Sequence, residues 1–132
     1  LVWDRNILIM EFLGEGERPY PQLRAADLED PASAYQEILG FITALYRKAG
    51  LVHADLSEYN ILAGDRLYII DMGQAVMEDH PRALHFLARD IANINRFFRS
   101  KCPLRDEREF FSEVTGISLE GEPAGDGRRK KA

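Results

Sequence analysis

Apolar and polar positions along the chain fall into blocks whose period changes several times. Asn6-Ile-Leu-Ile-Met-Glu-Phe-Leu13 is a nearly unbroken apolar run, the pattern of a buried strand. No turn residues precede it, so it reads as a strand taken from within a larger sheet. Gly14, Gly16, Pro19 and Pro21 then interrupt the pattern, and residues 14–30 are expected to form an irregular connection. A helix follows. Asp30 suits the N-cap, and Pro31 suits the first helical position, where a missing N–H costs nothing. Ile38, Ile42, Leu45 and Ala49 recur on one face, widened by Tyr35, Leu39 and Tyr46, and Gly50 is the stop. Gly40 weakens this helix and is expected where another backbone passes close by.

Beyond Gly50 the period shortens. Leu51-Val52-His53 is expected to be extended, Asn60–Leu62 and Leu67–Ile70 to be strands, and Ala63-Gly64-Asp65-Arg66 to be the turn of a hairpin. A second amphipathic helix is expected from about Pro81 to Arg99, burying Leu84, Leu87, Ala88, Ile91, Ile94 and Phe98. Pro103 interrupts it. A short third helix should cover Asp106–Thr115, with Phe110, Phe111 and Val114 inward and Gly116 as its stop. Gly121–Ala132 has no apolar pattern and is expected to be frayed. No internal repeat is visible.

The 132 residues suffice for one domain, and about two-thirds of the unfolded surface can be buried at this size. With 45% apolar and 30% charged residues the composition is that of a soluble globular domain. No apolar run approaches the roughly 18 to 20 residues that span a bilayer. The sole cysteine, Cys102, excludes an intrachain disulfide, and nothing resembles a secretory signal, so a cytoplasmic setting is the expectation. Of 17 basic residues, four form the run Arg128, Arg129, Lys130 and Lys131. That leaves 13 against 22 acidic residues over 1–127, a net of −9. A body this acidic is a poor general nucleic-acid binder; the basic tail is the one place where RNA contact fits, and a disordered, solubilising end is its ordinary reading.

The chemistry lies between the two long helices. In His53-Ala-Asp-Leu-Ser-Glu-Tyr-Asn60 an aspartate is followed by an asparagine five positions later, and Ile69-Ile-Asp-Met-Gly73 adds an Asp-x-Gly after the hairpin. This order matches a kinase catalytic loop and metal loop. Phosphoryl transfer needs positioning and charge neutralisation, hence oxygen ligands for Mg²⁺ and a carboxylate aimed at the nucleophile. Asp55 would orient or deprotonate the attacking group. Asn60 and Asp71 would hold metal, and Gly73 would permit the turn that presents Asp71. Taken singly, each residue has an ordinary reading. Asp-x-x-x-x-Asn pairs arise by chance, Asp71 can cap a turn, and His53 is read first as a scaffold residue bonding the loop backbone. His80 and His85 look structural.

Leu51-Val-His-Ala-Asp-Leu-Ser-Glu-Tyr-Asn-Ile-Leu62 resembles the catalytic loop of RIO-type atypical protein kinases, in particular the type-one branch. Met10-Glu-Phe-Leu-Gly14 is similar to that family's hinge, and Ile70-Asp-Met-Gly-Gln-Ala75 to its metal loop. His80-Pro-Arg-Ala-Leu-His-Phe-Leu-Ala-Arg-Asp90 is similar to its following helix. The resemblance covers about residues 7 to 100. It implies an α+β protein kinase-like fold: a mainly helical C-lobe with a catalytic-loop β-hairpin, the N-lobe largely absent. Residues 1–13 would be the last N-lobe strand and hinge, 14–118 the C-lobe and 119–132 a disordered basic tail. It also implies ATP with Mg²⁺ (or Mn²⁺), serine autophosphorylation or ATP hydrolysis, and a part in maturing the small ribosomal subunit. By position, Asp55 resembles the catalytic aspartate and Asn60 and Asp71 the metal ligands. Met10, Glu11 and Phe12 resemble the adenine-receiving hinge, and Asp71 a phosphoacceptor.

Two features depart from ordinary protein kinases. Ser57 and Glu58 stand where those enzymes usually have Lys-Pro, and the short connection from Gly73 to Pro81 leaves no room for an activation loop. Both favour ATP hydrolysis as a switch over broad peptide phosphorylation. A Gly-rich loop, a strand lysine and its helix glutamate are missing. Gly14-Glu-Gly16 is followed by Pro19 where a third glycine would stand, and the first lysine is Lys48, inside a helix. The isolated chain is therefore expected to turn over little. Two alternatives remain: a small-molecule kinase of the aminoglycoside or choline class, and a non-catalytic module binding a ribosomal precursor.

Overall fold

The computed structural model describes residues 7–9, 14–15 and 18–117. The hinge residues Met10, Glu11 and Phe12 and the tail Arg128–Lys131 lie outside the described residues.

The first helix, α1 (Pro31–Ala49), begins and ends where its caps dictate. The Asp30 carboxylate accepts the Ser33 N–H, and Gly50 closes the helix at φ 67°, its own N–H reaching back to the last turn. Tyr35, Ile38, Leu39, Phe41, Ile42 and Leu45 are buried. Gly40, expected beneath a neighbouring backbone, is exposed with nothing within 4 Å of where a Cβ would stand. Helix α2 (Ala83–Phe98) starts after Pro81, and its buried stripe is Ala83, Leu87, Asp90, Ile91, Ile94, Asn95 and Phe98. Leu84, expected inside, is exposed, although it lies only about 20° from the buried Ile91 around the helix; it stands in the first turn of α2, about two turns before Ile91. Helix α3 (Glu107–Thr115) is capped by Asp106, stopped by Gly116 and buries Phe110, Phe111 and Val114.

The strands are short. They are β1 (Ile7–Ile9), β2 (Gly14–Glu15), β3 (Arg18–Pro19), β4 (Leu51–Val52), β5 (Ile61–Ala63), β6 (Leu67–Ile69) and β7 (Val76–Met77). Strands β5 and β6 form the antiparallel hairpin the sequence predicts, with Ile61 opposite Ile69. Strand β1 adds in parallel to β6, which makes a three-stranded sheet in the order β1-β6-β5. The stretch after Gly14 is more ordered than its glycines and prolines suggest: β2 pairs with β3, and Leu23–Ala25 forms a 3₁₀ turn. Strand β7, absent from the sequence reading, pairs with β4 and closes the loop that follows the hairpin.

The three helices pack on one another and on the inner side of β4 and the hairpin in one core. Within it a polar relay ties α1 and α2 to the connection that leads into α3. The Tyr35 hydroxyl donates to Asn95 Oδ1 at 2.6 Å and accepts the Arg105 N–H at 3.0 Å, while Asn95 Nδ2 donates to the Arg105 carbonyl. Buried polar groups that satisfy one another in this way fix a single packing of the helices.

Candidate active site

The loop from His53 to Asn60 leaves β4, crosses the middle of α2 at Arg89, Asp90 and Asn93, and enters β5. His53 is 2% exposed, and its ring joins the two chemistry-bearing segments. Nδ1 accepts the Asp55 N–H at 3.2 Å, so the proton sits on Nε2, which donates to the Ile70 carbonyl at 3.1 Å. One imidazole thus links the backbone of Asp55 to the residue before Asp71.

Ala54, between them, has φ 76°, a left-handed conformation that costs an ordinary residue about 1–2 kcal/mol. Two adjacent residues of α2 hold it there. Asp90 accepts the Ala54 N–H on Oδ2 at 2.9 Å and the Leu56 N–H on Oδ1 at 3.0 Å, and Arg89 donates to the Ala54 carbonyl. Asn93 donates to the Leu56 carbonyl at 3.3 Å. Burial pushes the Asp90 carboxyl above the ordinary carboxylate range; the two amides, His53 and Arg89 pull it back in part. Asp55, next to this turn, is half-buried, and its carboxylate makes no hydrogen bond or ion pair among the described residues.

Asn60 is buried. Its Oδ1 accepts the Ser57 N–H at 2.8 Å and, more weakly, the Ser57 hydroxyl at 3.3 Å, which orients the amide. Its backbone carbonyl accepts the Ile70 N–H at 2.9 Å, extending the hairpin ladder by one rung. Asn60 is thereby held across from Ile70, one residue from Asp71. Asp71 is exposed and itself left-handed, with φ 66° and ψ 54°. The turn that presents it therefore does not rest on Gly73. That residue lies in the 3₁₀ turn Met72–Gln74 with no positive φ, and nothing surrounds its Cβ position.

Beside Asn60 and Asp71, on the outer side of the hairpin, Leu62 and Tyr68 form a small apolar cluster joined by Tyr20 and Ile70. Tyr20 stacks on Tyr68 at 5.7 Å between centroids. From the other side the segment around the Leu23–Ala25 turn braces the loop. The Arg24 N–H donates to the Glu58 carbonyl, Gln22 Nε2 to the Tyr59 carbonyl, and the Ala63 N–H to the Pro21 carbonyl.

Sequence reasoning assigned no role to Asp90, Arg89 or Ala54. Asp90 did leave a signal: a carboxylate on the apolar stripe between Leu87 and Ile91 must have partners of its own. Ala54 left none, since a left-handed alanine looks like any other in sequence. Among the described residues no three His, Cys, Asp or Glu side chains cluster as a metal cage would require, and no helix is long and apolar enough to cross a membrane.

The chain matches the family model described as RIO domain over residues 1–110. It is 41% identical over 118 residues to the human serine/threonine-protein kinase RIO1, covering 86% of this chain and 21% of that protein. To the RIO-type serine/threonine-protein kinase Rio1 of Haloferax volcanii it is 43% identical over 124 residues, covering 93% and 41%. The chain thus spans between about a fifth and two-fifths of the length of these two relatives. Its fold matches the crystal structure of the Rio2 kinase–ADP/Mg²⁺–phosphoaspartate complex of Chaetomium thermophilum with a TM-score of 0.59 at 24% identity. That match covers 86% of this chain and 45% of that one. The architecture is accordingly a partial kinase-like α+β fold.

Proposed function

The chain belongs to the RIO domain family of serine/threonine kinases, and from that premise we propose that it is the catalytic lobe of an ATP- and Mg²⁺-dependent phosphotransferase or ATPase. In this reading Asp55 orients the attacking hydroxyl or water and accepts its proton. Asn60 and Asp71 hold Mg²⁺, with Mn²⁺ as a substitute, and Ser57 and His53 keep the loop in shape. The exposed Asp71 carboxylate offers a hard oxygen to such an ion, which keeps most of its water; Asn60 Oδ1, which now accepts the Ser57 N–H and hydroxyl, would join it by giving up those bonds. When bound, the ion supplies neutralisation of phosphate charge. Leu62 and Ile70, beside the two ligands, offer an apolar floor for adenine, and Met10, Glu11 and Phe12 are the hinge that receives its edge. Asp71 is also the proposed phosphoacceptor, its carboxylate oxygen bonding the γ-phosphorus as ADP leaves. The Rio2 phosphoaspartate complex supports that role.

The observation that carries the reading is the pair of bonds at Ile70. His53 reaches its carbonyl and Asn60 accepts its N–H, so the Asp55 loop and the Asp71 turn are built as one unit. This sequence contains no Gly-rich loop or strand lysine to clamp the phosphates, so the chain by itself is expected to turn over little. We assign residues 1–13 to the last N-lobe strand and hinge, 14–118 to the C-lobe and 119–132 to a basic tail. The tail's Arg128, Arg129, Lys130 and Lys131 are where a weak RNA contact would form, with a solubilising end as the ordinary role of such a run. The physiological setting we infer is cytoplasmic maturation of the small ribosomal subunit.

The test is binding of a fluorescent ATP analogue, with and without Mg²⁺, followed by phosphoryl transfer in a fusion of this lobe to the N-lobe of a RIO1 relative. Asp71→Asn and Asn60→Ala are expected to remove the Mg²⁺-dependent part of binding, and Asp55→Ala to abolish turnover while leaving binding intact. Turnover that survives Asp55→Ala would sink the assignment.

A further inference from the structure

At the start of α2 the half-buried Phe86 is ringed by four polar, basic side chains. The Arg82 and Arg89 guanidinium carbons stand 5.4 Å and 5.0 Å from its centroid, and the His80 and His85 rings 6.0 Å and 5.8 Å. All four are exposed. Neither arginine forms an ion pair with a carboxylate among the described residues. The ring's negative face restrains both guanidinium groups without neutralising them. His80 Nδ1 accepts the Arg82 N–H, which leaves the proton on Nε2 as an outward donor. The cluster adjoins the proposed site directly, because Arg89 also reaches the carbonyl of Ala54, the residue before Asp55.

We propose that Arg82, Arg89, His80 and His85, gathered around Phe86, form a docking surface for a short acidic segment of a protein substrate, next to its phosphoacceptor. The proposal rests on the phosphotransferase reading above. Two arginine forks match carboxylates in pairs. The extent of the patch selects a short ligand. Arg82 to Arg89 spans only about 10 Å of helix, Glu78 and Asp79 border it, and the body of the chain is strongly acidic. A nucleic-acid backbone would run beyond the patch onto surface that repels it, whereas one or two acidic side chains would not.

The full chain, without nucleotide, is titrated by fluorescence anisotropy with a labelled serine peptide flanked by glutamates and with the same peptide flanked by glutamines. The acidic peptide should bind and the neutral one should not, and added salt should weaken the complex. Arg82→Gln should weaken binding roughly twofold to fivefold, the effect of one exposed charge. Arg82 makes no side-chain capping bond, so the helix should stay intact, as checked by circular dichroism. Arg99→Gln removes the same charge about 25 Å along the helix and should leave binding unchanged. Equal binding of both peptides, an equal loss in Arg99→Gln, or displacement by single-stranded RNA at lower concentration than by acidic peptide would overturn the proposal. Phosphoryl transfer is measured separately, with this lobe fused to the N-lobe of a RIO1 relative. Peptide binding with no transfer in that fusion would refute the phosphotransferase reading and leave the acidic-segment surface standing.

Discussion

Replacing Asp90 by Asn removes one acceptor from beneath the Asp55 loop while keeping the side chain's shape. In the native protein the two carboxylate oxygens take the Ala54 and Leu56 amides separately. An asparagine has one acceptor oxygen, so one amide must face an NH₂ group in a site that is 2% exposed. An unsatisfied buried donor costs about 1–3 kcal/mol. The residue it frees is Ala54, whose left-handed backbone is then held only through Arg89 and the surviving bond. Losing a buried charge returns part of the cost, so a net destabilisation of about 1–2 kcal/mol is expected at neutral pH. For a domain of this size that lowers the urea midpoint by roughly 0.5–1 M at an unchanged m-value. The pH dependence carries a sign. Burial raises Asp90 above its ordinary value of 3.8 in the folded chain, so the folded state keeps the proton over a window in which the unfolded chain has lost it. Stability from this group is therefore complete below the ordinary aspartate range and is lost as pH rises through the raised value. The gap between native chain and variant should be widest in acid and narrow towards neutrality. A midpoint unmoved by the substitution, or a gap that widens with pH, would refute this account of the loop.

Three further outcomes are checked by the same denaturation curves. Gly64→Ala places a Cβ against the Tyr20 ring. It should destabilise the chain by about 1–3 kcal/mol, as overpacking does, and change the near-ultraviolet tyrosine signal as the Tyr20–Tyr68 stack opens. Gly40→Ala meets no neighbour and should stabilise α1 by about 0.5–1 kcal/mol; a loss would mean that the position is covered. Tyr35→Phe leaves the Arg105 N–H and Asn95 Oδ1 without their shared partner, which should cost about 1–3 kcal/mol.

The helices were legible in the sequence because their determinants are local. Asp30 with Pro31, Gly50, Asp106 and Gly116 act within one turn of themselves, and the apolar repeat of α1 and α3 marks the buried face directly. The β5–β6 hairpin was legible for the same reason, and the proposed site residues Asp55, Asn60 and Asp71 could be singled out because they lie on consecutive short elements. Leu84 was misplaced because the period of a stripe shows the angle of the buried face but not how far along the axis that face is covered. Gly40 and Gly73 misled because glycine marks permission, and only the surrounding atoms decide whether permission is used.

Contacts between segments far apart in the chain belonged to the tertiary structure alone. Strand β1 pairs with β6 across nearly sixty positions of sequence. Asp90 takes amides from residues 34 and 36 positions away, and a left-handed Ala54 survives only because those bonds outweigh its strain. His53 illustrates the division. Its residue type and place before Asp55 marked it as a scaffold, yet the atom that receives its Nε2 proton, the Ile70 carbonyl, is defined only once the hairpin has folded back beside it. The sequence sets which groups are present and how far apart they lie along the chain. Folding decides which buried donor meets which acceptor, because that choice is made by burial.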